Sequence, residues 1–419
     1  MKKTALVFSG QGSQYSGMGK MVYDNYKEAR QIYEEAADIL GFNISKLCFE
    51  GSRDDLISTK NTQIAILTTS IAMYKAYEHE IGLEPYCMAG HSLGEYSALV
   101  ASGKLKFQDA LKIVETRGKL MQDAVNEKGG CMSCIIGLDS HIVQNVCNKY
   151  CNRDSVVMIS NYNSPKQSVI SGNDEAVSSV CRELEEMGAK IIELEVKAPF
   201  HSILMKEAAD KMAVYLGDFK FQDTQMPVIS NVKAEPYNDT MEIYKLLPEQ
   251  IVKPVRWNES MIFMEYMGVD TLIEIGPKSV LKKLTKHNCP YVDAYSYDID
   301  EDVREIRKKA VSCYGAKKDE VDWNIFIEKC IASAISTKNR NWDEKEYDEG
   351  VVKPYRMIKE DYYLMKDNNE KATMEDARKA YHMLSSVLTT KKVSDDERNY
   401  IMNELFYGIY SNYVDDIAG

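Results

Sequence analysis

The chain has 419 residues, 44% hydrophobic and 28% charged, which excludes a wholly disordered or fibrous polymer and is too long for one compact core. A formal net charge of −12 excludes a chain-wide basic footprint for nucleic acid. No apolar run approaches the roughly 18 residues that cross a bilayer, and the ten cysteines, with no export signal, point to free thiols in a reducing, cytoplasmic setting.

In chain order, residues 4–8 predict a first strand, followed by a glycine-rich turn over 9–19. Helical spacing covers 21–40 and 62–81. Residues 86–89 read as a short strand that runs into Gly90-His91-Ser92-Leu93-Gly94 and a further helix, and 108–125 as a helix carrying Arg117. The rhythm then changes. Strands at 131–138, 156–159, 168–171 and 190–196, with helices at 140–150 and 174–187, follow the β-α-β-β-α-β order of a ferredoxin-like unit. The first pattern resumes with a strand at 227–230, a helix near Glu259 and a strand at 271–274. The expected fold class is therefore α/β, with a mostly parallel sheet in an α/β-hydrolase-like core over 1–127 and 197–298. A ferredoxin-like subdomain occupies 128–196, and 299–419 form a mainly helical C-terminal extension. Residues 301–419 carry a net charge of −4 and ten of the 27 tyrosines. Their acidic stretch, 343–349, is flanked by helical candidates at 322–336, 374–389 and 395–413, the last with apolar residues at helical spacing (Met402, Leu405, Phe406, Ile409, Tyr410).

Gly90-His91-Ser92-Leu93-Gly94 is a G-x-S-x-G pentapeptide between a strand and a helix. Its glycines permit a sharp strand-to-helix turn that exposes the serine hydroxyl and aims backbone N–H groups at its target, although a purely structural turn has the same letters. A nucleophilic serine needs a base, and six histidines are available. His91 adjoins the serine and suits loop bracing, while His79 and His141 fall on charged helix faces, His287 in a polar stretch and His382 in the tail. His201 follows a strand and a proline-stiffened turn, Ala198-Pro199-Phe200-His201-Ser202, and is the candidate whose position would be fixed.

The turn Phe8-Ser9-Gly10-Gln11-Gly12-Ser13-Gln14 fails as a dinucleotide fingerprint, because Tyr15 stands where the third glycine belongs. Its alternative use is to bring a backbone N–H to a reacting carbonyl, beside the N–H after Ser92. Arg117 is readable as a helix-surface residue or as a bidentate partner for a substrate carboxylate. Cys131 and Cys134, with Cys147 and Cys151, have a spacing that suggests zinc, but strand residues three apart face opposite ways and small apolar fillers fit better.

Taken together and in order, these segments resemble malonyl-CoA:acyl-carrier-protein transacylase and the acyltransferases of polyketide synthesis, over about residues 3–296. The resemblance also rests on Thr62-Gln63, Glu95-Tyr96-Ser97-Ala98-Leu99, Arg117-Gly118-Lys119-Leu120-Met121-Gln122, Asn161-Tyr162-Asn163-Ser164-Pro165, Pro254-Val255-Arg256-Trp257 and Glu274-Ile275-Gly276-Pro277. It implies a Ser92 nucleophile, a His201 general base and acid, and an oxyanion hole from the N–H groups of Gln11 and Leu93. It further implies a main-chain carbonyl at Gln250 that orients the base. Arg117, Phe200, Gln63 and Met121 would bind substrate, with Phe200 as in malonyl-selective members. The substrate would be malonyl-CoA, the partner an acyl carrier protein, and no cofactor or metal would be permanently bound. Ile64 departs from the family's usual proline, and Lys278-Ser279 from its Gly-Lys. Two other readings are an acyl hydrolase that clears carrier proteins and a polyketide-synthase trans-acyltransferase with another extender unit. The extension beyond 299 is read either as a helical layer or as a docking surface for a synthase subunit, and neither nucleic acid nor membrane is an expected partner.

Overall fold

Among the described residues there are nine strands, and their pairing sorts them into two sheets. In chain order they are β1 (Lys3–Phe8), β2 (Cys87–Gly90), β3 (Cys131–Ile136), β4 (Val157–Ser164), β5 (Gln167–Gly172), β6 (Lys190–Glu193), β7 (Val228–Ile229), β8 (Val269–Ile275) and β9 (Asp293–Ser296). The computed structural model describes residues 3–196, 198–314, 323–368, 370–406, 410 and 413–418. By internal contacts the chain divides into two units, Met1–His79 with Leu83–Ile306, and Glu80–Gly82 with Arg307–Gly419.

In the first unit, one sheet has the order β7-β2-β1-β8-β9 with every pair parallel. Parallel strands are covered on both faces and so read as unbroken apolar runs; Ala5, Leu6, Val7 and Phe8 of β1 are all fully buried. The other sheet is antiparallel, in the order β4-β5-β3-β6, with helices Ser140–Tyr150 and Asp174–Glu186 between its strands in sequence. Its core includes Ile135, Val143, Ile159, Ile170, Val177 and Val180.

Several boundaries differ from the sequence reading. The helical spacing over 21–40 resolves into two helices, Lys20–Asn25 and Lys27–Leu40, because Tyr26 takes an extended backbone (φ −124°, ψ 123°) while its ring stays in the core. The strand expected over 190–196 stops at Glu193. In the second unit the acidic stretch is itself helical. Asp343 caps helix Glu344–Tyr347 by accepting from the N–H groups of Lys345 and Glu346, and acidic side chains in a first turn complement the helix dipole. A π-helical turn, Asp348–Val352, continues into helix Lys353–Asp367. Helices Trp323–Ser336 and Met374–Thr390 interleave Phe326, Ile327, Cys330, Ala380, Leu384 and Val387 in a shared core. The last long helix covers Asp395–Leu405, short of the expected 413, and a separate one covers Val414–Ala418. Lys197, Asp322 and Ile409 lie outside the described residues. Among the described residues no helix is long and apolar enough to cross a membrane.

The turns after β1 and β2 meet at the carboxyl end of the parallel sheet, where Phe8 pairs with Gly90. A Cβ on Gly10 would stand 2.2 Å from the His91 carbonyl oxygen, and one on Gly94 would stand 2.1 Å from that of Phe8. Both obstacles are backbone, so neither can swing aside. Gly94→Ala is therefore expected to cost about 1–3 kcal/mol, which lowers the thermal unfolding midpoint by roughly 2–8 °C. A calorimetric scan with an unchanged midpoint would refute this close approach.

Candidate active site

Four loops at the carboxyl ends of parallel strands converge, the position where open α/β sheets bind ligands. The turn after β1 supplies Gln11, the turn after β2 supplies Ser92, β7 leads to Asn231, and β8 leads to Lys278. Ser92 is in the left-handed backbone region at φ 51°. It is held there by Asn231, whose Oδ1 accepts from the Ser92 N–H at 2.7 Å while its Nδ2 donates to the Gly90 carbonyl at 2.7 Å. Leu93 then precedes helix Gly94–Ala101. Among the described residues neither the Gln11 nor the Leu93 N–H has a hydrogen-bond partner.

His201 arrives eight residues after β6, itself at φ 56°. Its Nε2 lies 2.8 Å from Ser92 Oγ, and its Nδ1 lies 2.6 Å from the main-chain oxygen of Gln250. That oxygen is available because Gln250 is in the last turn of helix Thr240–Val252, where carbonyls have no intrahelical partner, and Pro254 opposes continuation. A hydrogen bond from Nδ1 to a carbonyl requires the Nδ1–H tautomer, leaving Nε2 free to accept from the serine hydroxyl. Burial, with the Arg117 guanidinium nearby, pushes the imidazole down to about 3.

Arg117 is 1% exposed, which overturns the surface reading. Its helix, Phe107–Lys128, buries Ala110, Val114, Arg117 and Met121 on one stripe, a spacing already visible in the sequence. NH1 donates to Gln63 Oε1 at 2.8 Å; NH2 donates to Gln250 Oε1 at 3.0 Å and to Ser92 Oγ at 3.3 Å. Cζ stands 5.5 Å from the Tyr96 ring centroid. All three side-chain acceptors are neutral, and among the described residues no carboxylate lies within ion-pairing distance of the guanidinium.

A cavity of about 240 Å³ opens beside these groups, with Met121 and Phe200 in its wall together with Met132, Cys134 and Val169 from the antiparallel sheet. Gln63 reaches Met121 Sδ through its Nε2 at 3.6 Å. His91 turns away from the serine, with Nε2 2.9 Å from Asn163 Oδ1 and its ring edge-on to Trp257. Ile64 is buried within helix Thr59–Glu80. Lys278, at φ 63°, donates through Nζ to the Gly12 carbonyl at 3.1 Å. Among the described residues no cluster of three or more His, Cys, Asp or Glu side chains could hold a metal. Sequence reasoning brought together Ser92, His201, Arg117, Gln63 and Gln250 but missed Asn231 and the side-chain role of Gln250. Asn231 stands two residues past β7 in Ile229-Ser230-Asn231, and a polar residue just beyond the carboxyl end of a parallel strand was the available signal.

Residues 5–299 match the acyl transferase domain family, which sets the class. A malonyl CoA-acyl carrier protein transacylase of Bacillus subtilis (strain 168) is 44% identical over 287 residues, 68% of this chain and 90% of the relative. Another of that name from Bacillus subtilis is 37% identical over 388 residues, 90% of this chain and 92% of the relative, so that alignment extends into the region beyond 300. Among solved structures, a malonyl-transacylase in complex with its type II polyketide-synthase acyl-carrier protein matches with a TM-score of 0.70 and 38% identity, covering 74% of this chain and 100% of that one. The chain belongs to the malonyl-CoA:acyl-carrier-protein transacylase family.

An ordinary histidine titrates near pH 6.5. Between about pH 3 and that value the unfolded chain binds a proton that folded His201 does not, so this group's contribution to stability falls as pH is lowered. In a nuclear magnetic resonance titration, the His201 ring is expected to remain neutral at pH 5; a midpoint above 6 would contradict the buried, Arg117-facing placement.

Proposed function

We propose that this chain transfers the malonyl group of malonyl-CoA to the phosphopantetheine thiol of an acyl carrier protein, through a malonyl-Ser92 ester. The observation that carries this reading is a serine hydroxyl within 2.8 Å of a neutral imidazole and 3.3 Å of a buried guanidinium that, among the described residues, makes no direct ion pair. Ser92 Oγ attacks the thioester carbonyl and passes its proton to His201 Nε2. The Gln11 and Leu93 N–H groups receive the developing oxyanion, and the N-terminus of helix Gly94–Ala101 adds a favourable dipole. The tetrahedral intermediate expels CoA, whose sulfur takes the proton from Nε2. In the second half-reaction the carrier thiol gives its proton to Nε2, its sulfur attacks the ester, and the proton returns to Ser92. The Gln250 carbonyl holds Nδ1–H throughout and stabilises the transient imidazolium.

Arg117 receives the malonyl carboxylate. A hydrogen bond to a charged group contributes about 1.5–3 kcal/mol, which favours malonyl over acetyl roughly tenfold to a hundredfold. Phe200 and Met121 form the wall around the acyl group, and Gln63 acts on it through its bonds to Arg117 and Met121. The presence of Arg117 favours transfer over hydrolysis, in line with the malonyl-specific name of the relatives. The acyl carrier protein as partner is supported by the solved complex, in which a similar chain is seated with one.

The same reading assigns 1–127 with 197–298 to an α/β-hydrolase-like catalytic domain, 128–196 to a ferredoxin-like insert and 299–419 to a helical extension. It is supported by the all-parallel sheet, the β-α-β-β-α-β order of the second sheet and the helices from Trp323 onward.

After brief incubation with malonyl-CoA, intact-mass analysis is expected to find one malonyl adduct on the parent protein and none on Ser92→Ala. Arg117→Ala is expected to lower the malonyl-to-acetyl ratio of kcat/KM by about ten- to a hundredfold. An adduct on Ser92→Ala, or an unaltered ratio with Arg117→Ala, would refute the assigned roles.

A further inference from the structure

Glu95, three positions after the nucleophile, is fully buried and takes no part in the transfer steps. Its Oε1 accepts from the Asn231 N–H at 3.2 Å and from the Tyr237 hydroxyl; its Oε2 accepts from Gln250 Nε2 at 2.5 Å. Burial raises this carboxyl to about 7, against the pull of these donors toward the ionised form. Gln250 Nε2 donates a second time, to the Ser92 carbonyl oxygen at 2.9 Å.

The polarity of this cluster leaves Gln250 one orientation. The Ser92 carbonyl can only accept, as does the Glu95 carboxyl in its ionised form, so the NH2 end of the Gln250 amide must face them. Its Oε1 is then committed to the opposite side, where Arg117 NH2 donates to it at 3.0 Å. A reversed amide would set NH2 against guanidinium, donor against donor, in a buried site where unmet donors are costly. Glu95 therefore reaches the substrate arginine through one intervening side chain.

We propose that Glu95 is a positioning residue for acyl selectivity, fixing which end of the Gln250 amide faces Arg117 and thereby holding the guanidinium in the pose that receives a substrate carboxylate. This rests on the assignment of Arg117 to the malonyl carboxylate. Glu95 also accepts from the Asn231 N–H, so the same group steadies the residue that braces the Ser92 N–H.

The test is kcat/KM for malonyl-CoA and acetyl-CoA measured side by side with the full chain. Glu95→Gln adds an NH2 to a cluster of donors and is expected to lower the malonyl-to-acetyl ratio about tenfold, chiefly through KM for malonyl-CoA. Glu95→Asp keeps an acceptor-only group and is expected to hold the ratio within about threefold of the parent. Equal losses for the two substrates in Glu95→Gln would mark Glu95 as merely structural and overturn the proposal. If Glu95→Gln does not fold, Gln250→Met, which keeps the main-chain carbonyl and removes the amide, decides: the ratio is expected to fall, and an unchanged ratio overturns the proposal. Arg117→Ala separates the two assignments. If it leaves the malonyl preference intact, the carboxylate assignment fails and takes this proposal with it. If it abolishes the preference while Glu95→Gln retains it, only the role of Glu95 fails.

Discussion

The site is organised around a buried cation whose hydrogen-bond acceptors are all neutral. Enclosing a charge costs several kcal/mol unless it is paired, yet the Arg117 guanidinium donates to the amide oxygens of Gln63 and Gln250 and to a serine hydroxyl, stands beside the Tyr96 ring, and feels the Glu95 charge without touching it. The demand for a negative partner is thereby built into the folded protein and placed beside the nucleophile. On the proposed reading, a substrate that carries a carboxylate satisfies it at the reacting end of the molecule, where binding energy also positions the thioester. Burial, and after it the same charge, keeps the neighbouring imidazole neutral, so on the proposed reading one residue supports both recognition of the acyl group and readiness of the base.

Strain accompanies this arrangement. Ser92 and His201, the two groups that exchange a proton, are both in the left-handed region that side-chain-bearing residues seldom occupy. Such conformations persist only where the surroundings over-determine them. At Ser92 the N–H and the carbonyl are each held by a side-chain amide, Asn231 and Gln250 respectively. Both residues trace back to Glu95, Asn231 through its main-chain N–H and Gln250 through its side-chain amide. At His201 the ring is held at both nitrogens, by Ser92 and by the Gln250 carbonyl.

What the sequence revealed follows from how local each feature is. The Ser92 turn depends on neighbouring glycines and a strand-to-helix switch, all within a few residues, so its letters announce it. Arg117 was ambiguous from its neighbours, and the buried stripe of Ala110, Val114 and Met121 resolves it. Asn231 and Glu95 carry no local signature, because their roles arise from hydrogen bonds across 139 and 155 positions. The break at Tyr26 was hidden for a related reason: one extended residue leaves the apolar spacing on either side almost undisturbed. The helical acidic stretch was missed because like charges suggest repulsion, whereas Asp343 and its neighbours are at a helix start, where negative charge is favourable.

The order in which the pieces occur along the chain carries a consequence of its own. The nucleophile and the substrate arginine precede the antiparallel sheet, whereas His201, Asn231 and Gln250 all follow it. During synthesis the Ser92 turn therefore lacks both its brace and its imidazole partner until the four strands and two helices of the second sheet have been made and the polypeptide has come back to the first sheet. On the proposed mechanism, competence to form an acyl ester thus matures late, because a partly made chain that already contains Ser92 has no His201 with which to activate it.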